Sequence, residues 1–286
     1  MLGRWVTRIV DAQARWSTPF GDFNHRWLTA LFGPIRPVKD FLNGTWLGHP
    51  VHAALTDLPI GVMTVAIVLD VIGQRVAADV TVLVGVLSIV ATAVSGLADY
   101  TDVDGKARSR ATVHATVMTI ALIVFAISLL IRAGNPTDRA VPIALLVVGY
   151  LILTVGAEIG GDLVYLVGTN VNRHAWRGTG AKWVALDLGG MTDIPEGGPT
   201  KVKAGINTLI LVRTGETILA LHETCAHAGG PLSEGTLVDG CIQCPWHGSR
   251  FRLTDGHVAR GPAMYDQPAY EVRRSDAGFE VRRAAG

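Results

Sequence analysis

The chain has 286 residues, a formal net charge of +1, and charged residues at 17% of its positions. A net charge so close to zero does not suggest the basic surface that nucleic-acid binding uses, so we expect no nucleic-acid partner. The charged fraction lies below the quarter that is usual for soluble proteins, and the mean hydropathy of +0.34 is correspondingly high. The length suits about two domains, and the composition indicates that one of them is unusually apolar.

The first part of the chain, residues 1–48, mixes arginines with tryptophans and phenylalanines. It lacks the uninterrupted apolar core and the small-residue cleavage site of a secretory signal. Basic residues beside tryptophans are typical of a segment that lies at a membrane interface. We therefore expect a basic, amphipathic N-terminal segment that either lies at the membrane interface or is loosely packed.

Four apolar runs follow within residues 49–160. They cover Leu58 to Ile72, Asp79 to Ala98, Thr112 to Ile131 and Val141 to Ile159. Each approaches the roughly 20 residues that cross a bilayer as a helix, the first only when its more polar start from Val51 is included. A soluble all-helical core is the alternative, but four such runs in succession favour a four-helix transmembrane bundle in the lipid bilayer of the inner (cytoplasmic) membrane.

Basic residues near the span ends predict the orientation, since an even number of spans places both termini on one side. That side carries Arg36, Lys39, Lys106, Arg108, Arg110, Arg173 and Arg177, whereas the opposite side carries Arg75, Arg132 and Arg139. Cytoplasmic loops hold the excess of lysine and arginine in membrane proteins. We therefore predict a multi-pass protein with both termini and its C-terminal domain in the cytoplasm.

The composition changes after the spans. Residues 161–182 form a glycine-dotted connector, and in residues 183–286 short stretches such as TLILVRT and AYEVRR alternate with turn clusters. This spacing predicts a small antiparallel all-β domain.

All three cysteines lie in one glycine-rich segment of this β domain, which reads Cys225-Ala-His227 and later Cys244-Pro-Trp-His247. The pattern closely resembles the C-x-H…C-x-x-H signature of Rieske domains. In that family two loops each supply one cysteine and one histidine, and the cysteines bind one iron of a [2Fe-2S] cluster while the histidines bind the other. The resemblance implies Cys225 and Cys244 on the inner iron, and His227 and His247 on the outer iron at an exposed tip.

Neighbouring residues extend the resemblance. Gly261-Pro262-Ala263 resembles the loop that covers the cluster, and Ser249 matches a serine that hydrogen-bonds a cluster sulfur. Respiratory relatives join the two loops by a disulfide, but Gly230 and Trp246 stand at those positions, as in the ferredoxin and oxygenase branch and in keeping with a reducing compartment. Phe251 replaces a tyrosine that would donate a second hydrogen bond, so we predict an intermediate reduction potential.

A structural zinc site is the alternative for two cysteines and two histidines. Zinc ligand pairs usually have two to four intervening residues, whereas Cys225 and His227 are separated by one. The third cysteine, Cys241, could pair with Cys244 as C-x-x-C, but is most simply a buried free thiol at the end of a strand.

The membrane half carries ionisable residues of its own. The sequence from Leu47 to His52 resembles that of a family of small four-span bacterial membrane domains with a Gly-His-Pro-x-His motif, a family of unknown function that implies no activity. Antiparallel threading of the spans places six ionisable residues at the cytoplasmic end: His49, His52, Asp57, Asp99, His114 and Glu158. Ionisable residues within spans are commonly functional, although residues at helix ends can also be merely interfacial.

Three uses of these six residues remain open. A b-type haem would need two facing imidazoles, for which His52 and His114 are the natural pair. A quinone pocket would combine one histidine with one acid, such as His52 with Asp57 or Asp99. A metal site with one or two ions would take a mixture of histidines and carboxylates.

The predicted function is that of a membrane-anchored iron-sulfur electron-transfer protein. Such an oxidoreductase-type carrier would pass single electrons between a cytoplasmic redox partner protein and a membrane site that holds quinone or haem. One alternative is a component of an oxygenase or desaturase, in which a Rieske cluster feeds a non-haem iron that the membrane histidines would have to bind. Another is a binding module that senses redox state.

Overall fold

The computed structural model describes residues 2–176, 180, 182–276 and 278–284. Arg177, one of the basic residues that predict the orientation, lies outside the described residues. The chain divides into two compact units. One contains Met1–Asn43 and Pro50–Thr169, and the other contains Gly44–His49 and Asn170–Gly286.

The first unit is helical. Its helices are α1 (Leu2–Ala12), α2 (Ala14–Phe32), α3 (Arg36–Asn43), α4 (Val51–Leu55), α5 (Asp57–Val71), α6 (Arg75–Tyr100), α7 (Gly105–Ala133) and α8 (Ala140–Tyr165). Four segments are long and apolar enough to cross a bilayer: α4 with α5, then α6, α7 and α8. The predicted four transmembrane helices are confirmed, and the first span does include the polar start from Val51.

The core of the bundle combines large side chains with glycines on the facing helix. Met63 and Phe125 are fully buried. A Cβ on Gly85 would come 2.5 Å from Met63 Cε, and one on Gly149 would come 2.7 Å from Phe125 Cε1. Small residues allow such close helix contacts in lipid, where packing rather than the hydrophobic effect drives helix association.

The N-terminal helices α1 and α2 pack against the bundle, which favours the interface-lying alternative over loose packing. Leu28 of α2 is buried in a cluster with side chains of α6 and α7. Two acidic side chains explain the attachment: Arg110 of α7 binds Asp11 at 2.8 and 3.0 Å, and Arg108 binds Asp22 at 2.9 Å. The N-terminal segment is therefore held by ion pairs to α7 as well as by apolar contacts.

Four charged side chains, three buried and one half-buried, lie together at the end of the bundle where α5 meets α6 and α7 meets α8. Arg132 Nη2 lies 2.5 Å from Asp70 Oδ2, and Arg132 Nη1 lies 2.9 Å from Asp79 Oδ1. Arg139 also binds Asp79. Two arginines and two aspartates neutralise each other, as charges at membrane depth must.

The second unit is β-rich, which confirms the predicted antiparallel β domain. Its strands are β1 (Val184–Asp187), β2 (Thr200–Ala204), β3 (Asn207–Thr214), β4 (Thr217–His222), β5 (Thr236–Val238), β6 (Cys241–Gln243), β7 (Arg250–Arg252), β8 (Val258–Arg260), β9 (Ala269–Ser275) and β10 (Gly278–Arg283). A closed barrel has the strand order β1-β10-β9-β4-β3-β2, and a second sheet has the order β5-β6-β7-β8. Both are antiparallel throughout.

Strand β3 is buried on both faces, and this joins the barrel to the second sheet. Leu209 and Leu211 belong to the core of the barrel. Ile210 and Val212 point the other way, because successive side chains of a strand alternate, and pack in a cluster with Phe251 of the second sheet. The second sheet and its loops therefore pack directly against strand β3 of the barrel.

The connector is shorter than the predicted 161–182. Helix α8 extends to Tyr165, and the chain from Asn170 onward belongs to the second unit. The Arg173 N–H donates to Ala226 O at 3.1 Å, and the Tyr265 hydroxyl donates to Asn170 O at 3.1 Å. Much of the predicted connector is thus bound to the β domain instead of forming a free tether.

Candidate functional site

Two loops of the second unit carry the cysteine and histidine motif, and they share one backbone hydrogen-bond pattern. Cys225 N–H donates to Gly230 O at 2.9 Å, and Cys244 N–H donates to Ser249 O at 2.8 Å. Each loop is thereby closed five residues after its cysteine.

A glycine four residues after each cysteine completes the common geometry. The N–H of Gly229 donates to Cys225 O, and the N–H of Gly248 donates to Cys244 O. Their φ angles are +88° and +76°, a left-handed conformation that glycine adopts without steric cost. The glycines that flank the motif in sequence therefore shape both loops.

The loops bring like donor atoms together. The side chains of Cys225 and Cys244 pack in one core cluster and interact electrostatically with each other. The rings of His227 and His247 have centroids 5.0 Å apart and planes at 86°. The four side chains thus form one pair of sulfurs and one pair of imidazoles.

The two thiols differ in their acidity. The side-chain interaction with Cys225 lowers the pKa of Cys244 to about 6, against the opposing effect of burial, and the N–H groups of Trp246 and His247 lower it further. The same interaction, and then burial, raise the pKa of Cys225. Cys244 therefore favours the thiolate form that binds metals, and Cys225 has to release a proton when a metal binds.

The donor set does not suit a single ion. Across residues 2–176, 180, 182–276 and 278–284, no group of three or more His, Cys, Asp or Glu side chains is placed to hold one metal ion. Structural zinc needs four ligands that converge on one point. Two pairs of unlike donors instead fit the two irons of a Rieske cluster, each of which takes two protein ligands.

Gly230 lines the space beside the sulfurs. A Cβ at this position would come 2.8 Å from Cys244 Sγ and 3.0 Å from Trp246 Cγ. Gly230 and Trp246, which stand where respiratory relatives have disulfide cysteines, thus face each other between the loops. The paired donors are those that a [2Fe-2S] cluster needs, and the lack of a side chain at Gly230 leaves space beside the sulfurs for it.

Ser249 and Phe251 are both fully buried. The Ala263 N–H donates to Ser249 Oγ at 3.0 Å, which leaves the serine hydroxyl hydrogen available for another acceptor. Phe251 contributes only apolar contacts to its core cluster. Cys241 is a buried free thiol at the start of β6, as the sequence predicts.

Sequence analysis missed the side chains that hold the first loop. Gln267 accepts from Ala226 N–H at 2.8 Å and donates to the carbonyls of His222 and Thr224 at 2.6 and 2.8 Å. His174 Nε2 donates to Thr224 O at 2.7 Å, and its ring lies 4.5 Å from that of His222. None of these residues belongs to a recognisable motif, because each acts on backbone groups that are distant in sequence.

The expected exposed tip is wrong for one of the two histidines. His227 is only 6% exposed, whereas His247 is half-buried. Arg173 N–H binds the carbonyl of Ala226, so the chain around Arg173 lies beside the loop that carries His227. The Thr45 hydroxyl also donates to Ala263 O at 3.4 Å, so other segments of the second unit lie against these loops.

The structure places the six ionisable residues predicted at one end of the bundle as follows. His52 and His114 have ring centroids 6.3 Å apart. Asp99 is buried and accepts from Asn43 Nδ2 at 2.8 Å. The other three, Asp57, Glu158 and His49, are exposed, and His49 belongs to the second unit. A shared site for all six residues stays a prediction, and His52 with His114 is the pair whose proximity the ring distance supports.

Comparison with known proteins agrees with both units. Residues 183–271 match the Rieske [2Fe-2S] domain, and residues 48–173 match a family described as a predicted membrane protein, DUF2231. The anthranilate 1,2-dioxygenase ferredoxin subunit of Burkholderia cepacia is 31% identical over 94 residues, which are 33% of this chain and 87% of that protein.

Two further comparisons cover the same β domain. Human apoptosis-inducing factor 3 is 31% identical over 90 residues, which are 32% of this chain and only 15% of that protein. The solved ferredoxin of carbazole 1,9a-dioxygenase from Nocardioides aromaticivorans IC177 is 26% identical, with 37% of this chain and 97% of that chain covered and a TM-score of 0.30. Since it is 31% identical to the Burkholderia cepacia ferredoxin subunit over 87% of that protein, the chain belongs to the Rieske [2Fe-2S] family, and its residues 48–173 match DUF2231.

Proposed function

We propose that the protein is a membrane-anchored carrier of single electrons. The observation that carries the proposal is the pairing of Cys225 with Cys244 and of His227 with His247 on two matching loops. Four apolar helices in the same chain support attachment to a membrane.

In this proposal the bound [2Fe-2S] cluster supplies reversible one-electron chemistry. Cys225 and Cys244 hold the inner iron as thiolates, and His227 and His247 hold the outer iron through neutral imidazoles. Neutral ligands raise the reduction potential relative to an all-cysteine site, because they add no negative charge. The N–H groups of Trp246 and His247 stabilise the negative charge on the Cys244 sulfur.

The surroundings of the cluster argue for an intermediate potential. Ser249 has a hydroxyl hydrogen available for a cluster sulfur, and Phe251 has none. Fewer donors to the sulfurs stabilise the reduced form less, so the potential lies below that of relatives with both groups.

The partner on the aqueous side is a redox protein. The similarity to a dioxygenase ferredoxin subunit supports an oxygenase or reductase component in this role. The excess of basic residues on one side of the spans supports the inner membrane as the location, with both termini and the Rieske domain in the cytoplasm. On the membrane side, electrons are exchanged with haem or quinone at the bundle.

A direct oxygenase role is less well supported. It needs two histidines and one carboxylate around a non-haem iron. Among the residues that the structure describes, no third ligand joins His52 and His114. A redox sensor would use the same cluster ligands, but nothing in the bundle favours that role over electron transfer.

The test uses the full-length protein in mild detergent. We expect two non-haem irons and no zinc per chain, and an electron paramagnetic resonance (EPR) signal of the Rieske type after reduction with dithionite. Cys225→Ser and Cys244→Ser should each abolish the signal, whereas Cys241→Ser, the matched control, should retain it. Loss of the signal in the Cys241 variant alone would overturn the ligand assignment.

A further inference from the structure

The two halves of the bundle repeat one helical hairpin. The first hairpin consists of α4, α5 and α6, and the second of α7 and α8. The sequence Val-His-Ala at 51–53 recurs at 113–115, an offset of 62 residues. The same offset relates Met63 to Phe125, the large core residues of the two halves.

The second helices of the hairpins repeat with an offset of 64 residues. Buried positions Ala78, Val82, Gly85, Ile89 and Thr92 of α6 correspond to buried positions Pro142, Leu146, Gly149, Leu153 and Gly156 of α8. The contact of Met63 with Gly85 recurs as that of Phe125 with Gly149. The hairpins therefore pack as equivalent halves, the parallel type of internal repeat that membrane proteins use.

Both histidines of the repeated Val-His-Ala sequence make the same hydrogen bond. His52 Nδ1 lies 2.9 Å from Thr92 O, and His114 Nδ1 lies 2.9 Å from Gly156 O. A carbonyl can only accept, so each Nδ1 carries the hydrogen and each neutral ring keeps a lone pair on Nε2.

Glycines one helical turn after each carbonyl make room for the rings. A Cβ on Gly96 would come 2.8 Å from His52 Cε1, and one on Gly160 would come 3.0 Å from His114 Cε1. Gly96 and Gly160 are again 64 residues apart. Hydrogen bond, glycine and imidazole are thus duplicated together, which a single packing accident would not produce.

This arrangement is the one that metal-ligating histidines have, in which one ring nitrogen donates to a carbonyl and the other binds the metal. Within the part of the chain that the structure describes, no hydrogen-bond donor reaches Nε2 of His52 or His114. Their ring centroids are 6.3 Å apart. Two imidazoles on opposite sides of one metal have ring centres roughly 6 Å apart. This separation is the sum of two metal–nitrogen bonds of about 2 Å each and the distance from each nitrogen to the centre of its ring.

We infer that His52 and His114 are the two protein ligands of one redox metal centre between the repeated hairpins. The inference rests on the proposed function for the centre's role in electron exchange, but not for the binding itself. A quinone fits less well, since its carbonyl oxygens need donors and both Nε2 atoms are acceptors.

The number of protein ligands limits which metals can occupy the centre. Within the described residues no third His, Cys, Asp or Glu completes a metal site with this pair. The metal must therefore be stable with two imidazoles and no further His, Cys, Asp or Glu ligand from the described residues. Haem iron, with four ligands from the porphyrin, and copper(I), which is stable with two, both meet this condition.

The test titrates the full-length protein in mild detergent with hemin and, in a separate anaerobic sample, with cuprous ion. We expect one equivalent of one of them to bind. His52→Asn and His114→Asn should each reduce the affinity at least tenfold, because asparagine keeps an N–H for the carbonyl of Thr92 or Gly156 but offers no second nitrogen. His25→Asn is the matched control, since His25 also bonds a backbone carbonyl, that of Thr101, at 3.0 Å.

The visible spectrum separates the two metals, since haem gives an intense Soret band and copper(I) gives none. Failure of both titrations with the wild-type protein would overturn the inference. So would a metal affinity in both Asn variants equal to that of the wild-type protein. The cluster EPR signal should remain in all variants. A wild-type protein that binds the bundle metal but shows no cluster signal would sink the proposed function and leave the metal site standing.

Discussion

Gly230 and Cys244 face each other so closely that a methyl group on Gly230 would come 2.8 Å from the Cys244 sulfur. The same methyl group would lie 3.0 Å from Trp246 Cγ, so it would contact both a sulfur and an indole ring of the opposite loop. The position of Cys244, one of the proposed iron ligands, thus depends on the absence of a side chain at Gly230 in the opposite loop.

Gly230→Ala should therefore impair cluster binding. Overpacking of a tight site costs about 1–3 kcal/mol, and here the strain falls on the sulfur itself. We expect a lower iron content and a weaker EPR signal in the purified variant. Gly198→Ala is the control, because a Cβ at Gly198 meets no atom within 4 Å. Equal iron content in the two variants would contradict the placement of Cys244.

The potential should respond to hydroxyl groups at positions 249 and 251. Ser249→Ala removes a donor and should lower the potential, whereas Phe251→Tyr adds one beside the cluster and should raise it. Redox titration followed by EPR measures both changes. Phe251→Leu adds no donor, so it should leave the potential near that of the wild type despite a cost in packing. A shift as large in the Leu variant as in the Tyr variant would show that packing, and not hydrogen bonding, sets the potential.

Asp70 and Arg132 form a buried pair that should be sensitive to the loss of either partner. Their side chains are 2% and 0% exposed, and each single replacement leaves the group of two arginines and two aspartates with one net charge. Asp70→Leu or Arg132→Met alone should cost about 3–5 kcal/mol, and the double variant should recover most of this, because Asp79 and Arg139 remain paired. Thermal unfolding in detergent measures the effect. A double variant no more stable than the singles would exclude this account.

The attachment of α1 should depend on pH through Asp11. The hydrogen bond from Arg110 lowers the pKa of Asp11 to about 2, burial opposes it, and Lys106 assists. Since this folded value lies below the usual 3.8, the stabilisation is complete above pH 3.8 and is lost as the pH falls through about 2.

Hydrogen exchange of backbone amides in Leu2–Ala12 tests the dependence on Asp11. Asp11→Asn should increase exchange at pH 7, and the difference between variant and wild type should shrink as the pH falls from 4 to 2. A difference that stays constant over this range would show that the carboxylate charge does not hold α1.

The features that the sequence predicts well are local or are imposed by lipid. Cys225 and His227 lie two residues apart, so one loop presents both, and the long apolar runs have few alternatives to membrane helices. The missed features join distant residues. Asp11 meets Arg110 across 99 positions, and Gln267 reaches Ala226 across 41. The hairpin repeat is hard to detect in the sequence for another reason. Equivalent positions such as Met63 and Phe125 fill equivalent space with different residue types, so the two halves share little sequence.

The repeat is broken in one respect that has a consequence for assembly. Asp70 and Arg132 occupy equivalent positions, so the first hairpin brings a carboxylate to the shared contact and the second brings a guanidinium. Two copies of the first hairpin would bury like negative charges together, and two copies of the second would bury like positive charges. Only unlike hairpins neutralise each other, so any exchange of hairpins between neighbouring molecules must join a first hairpin to a second.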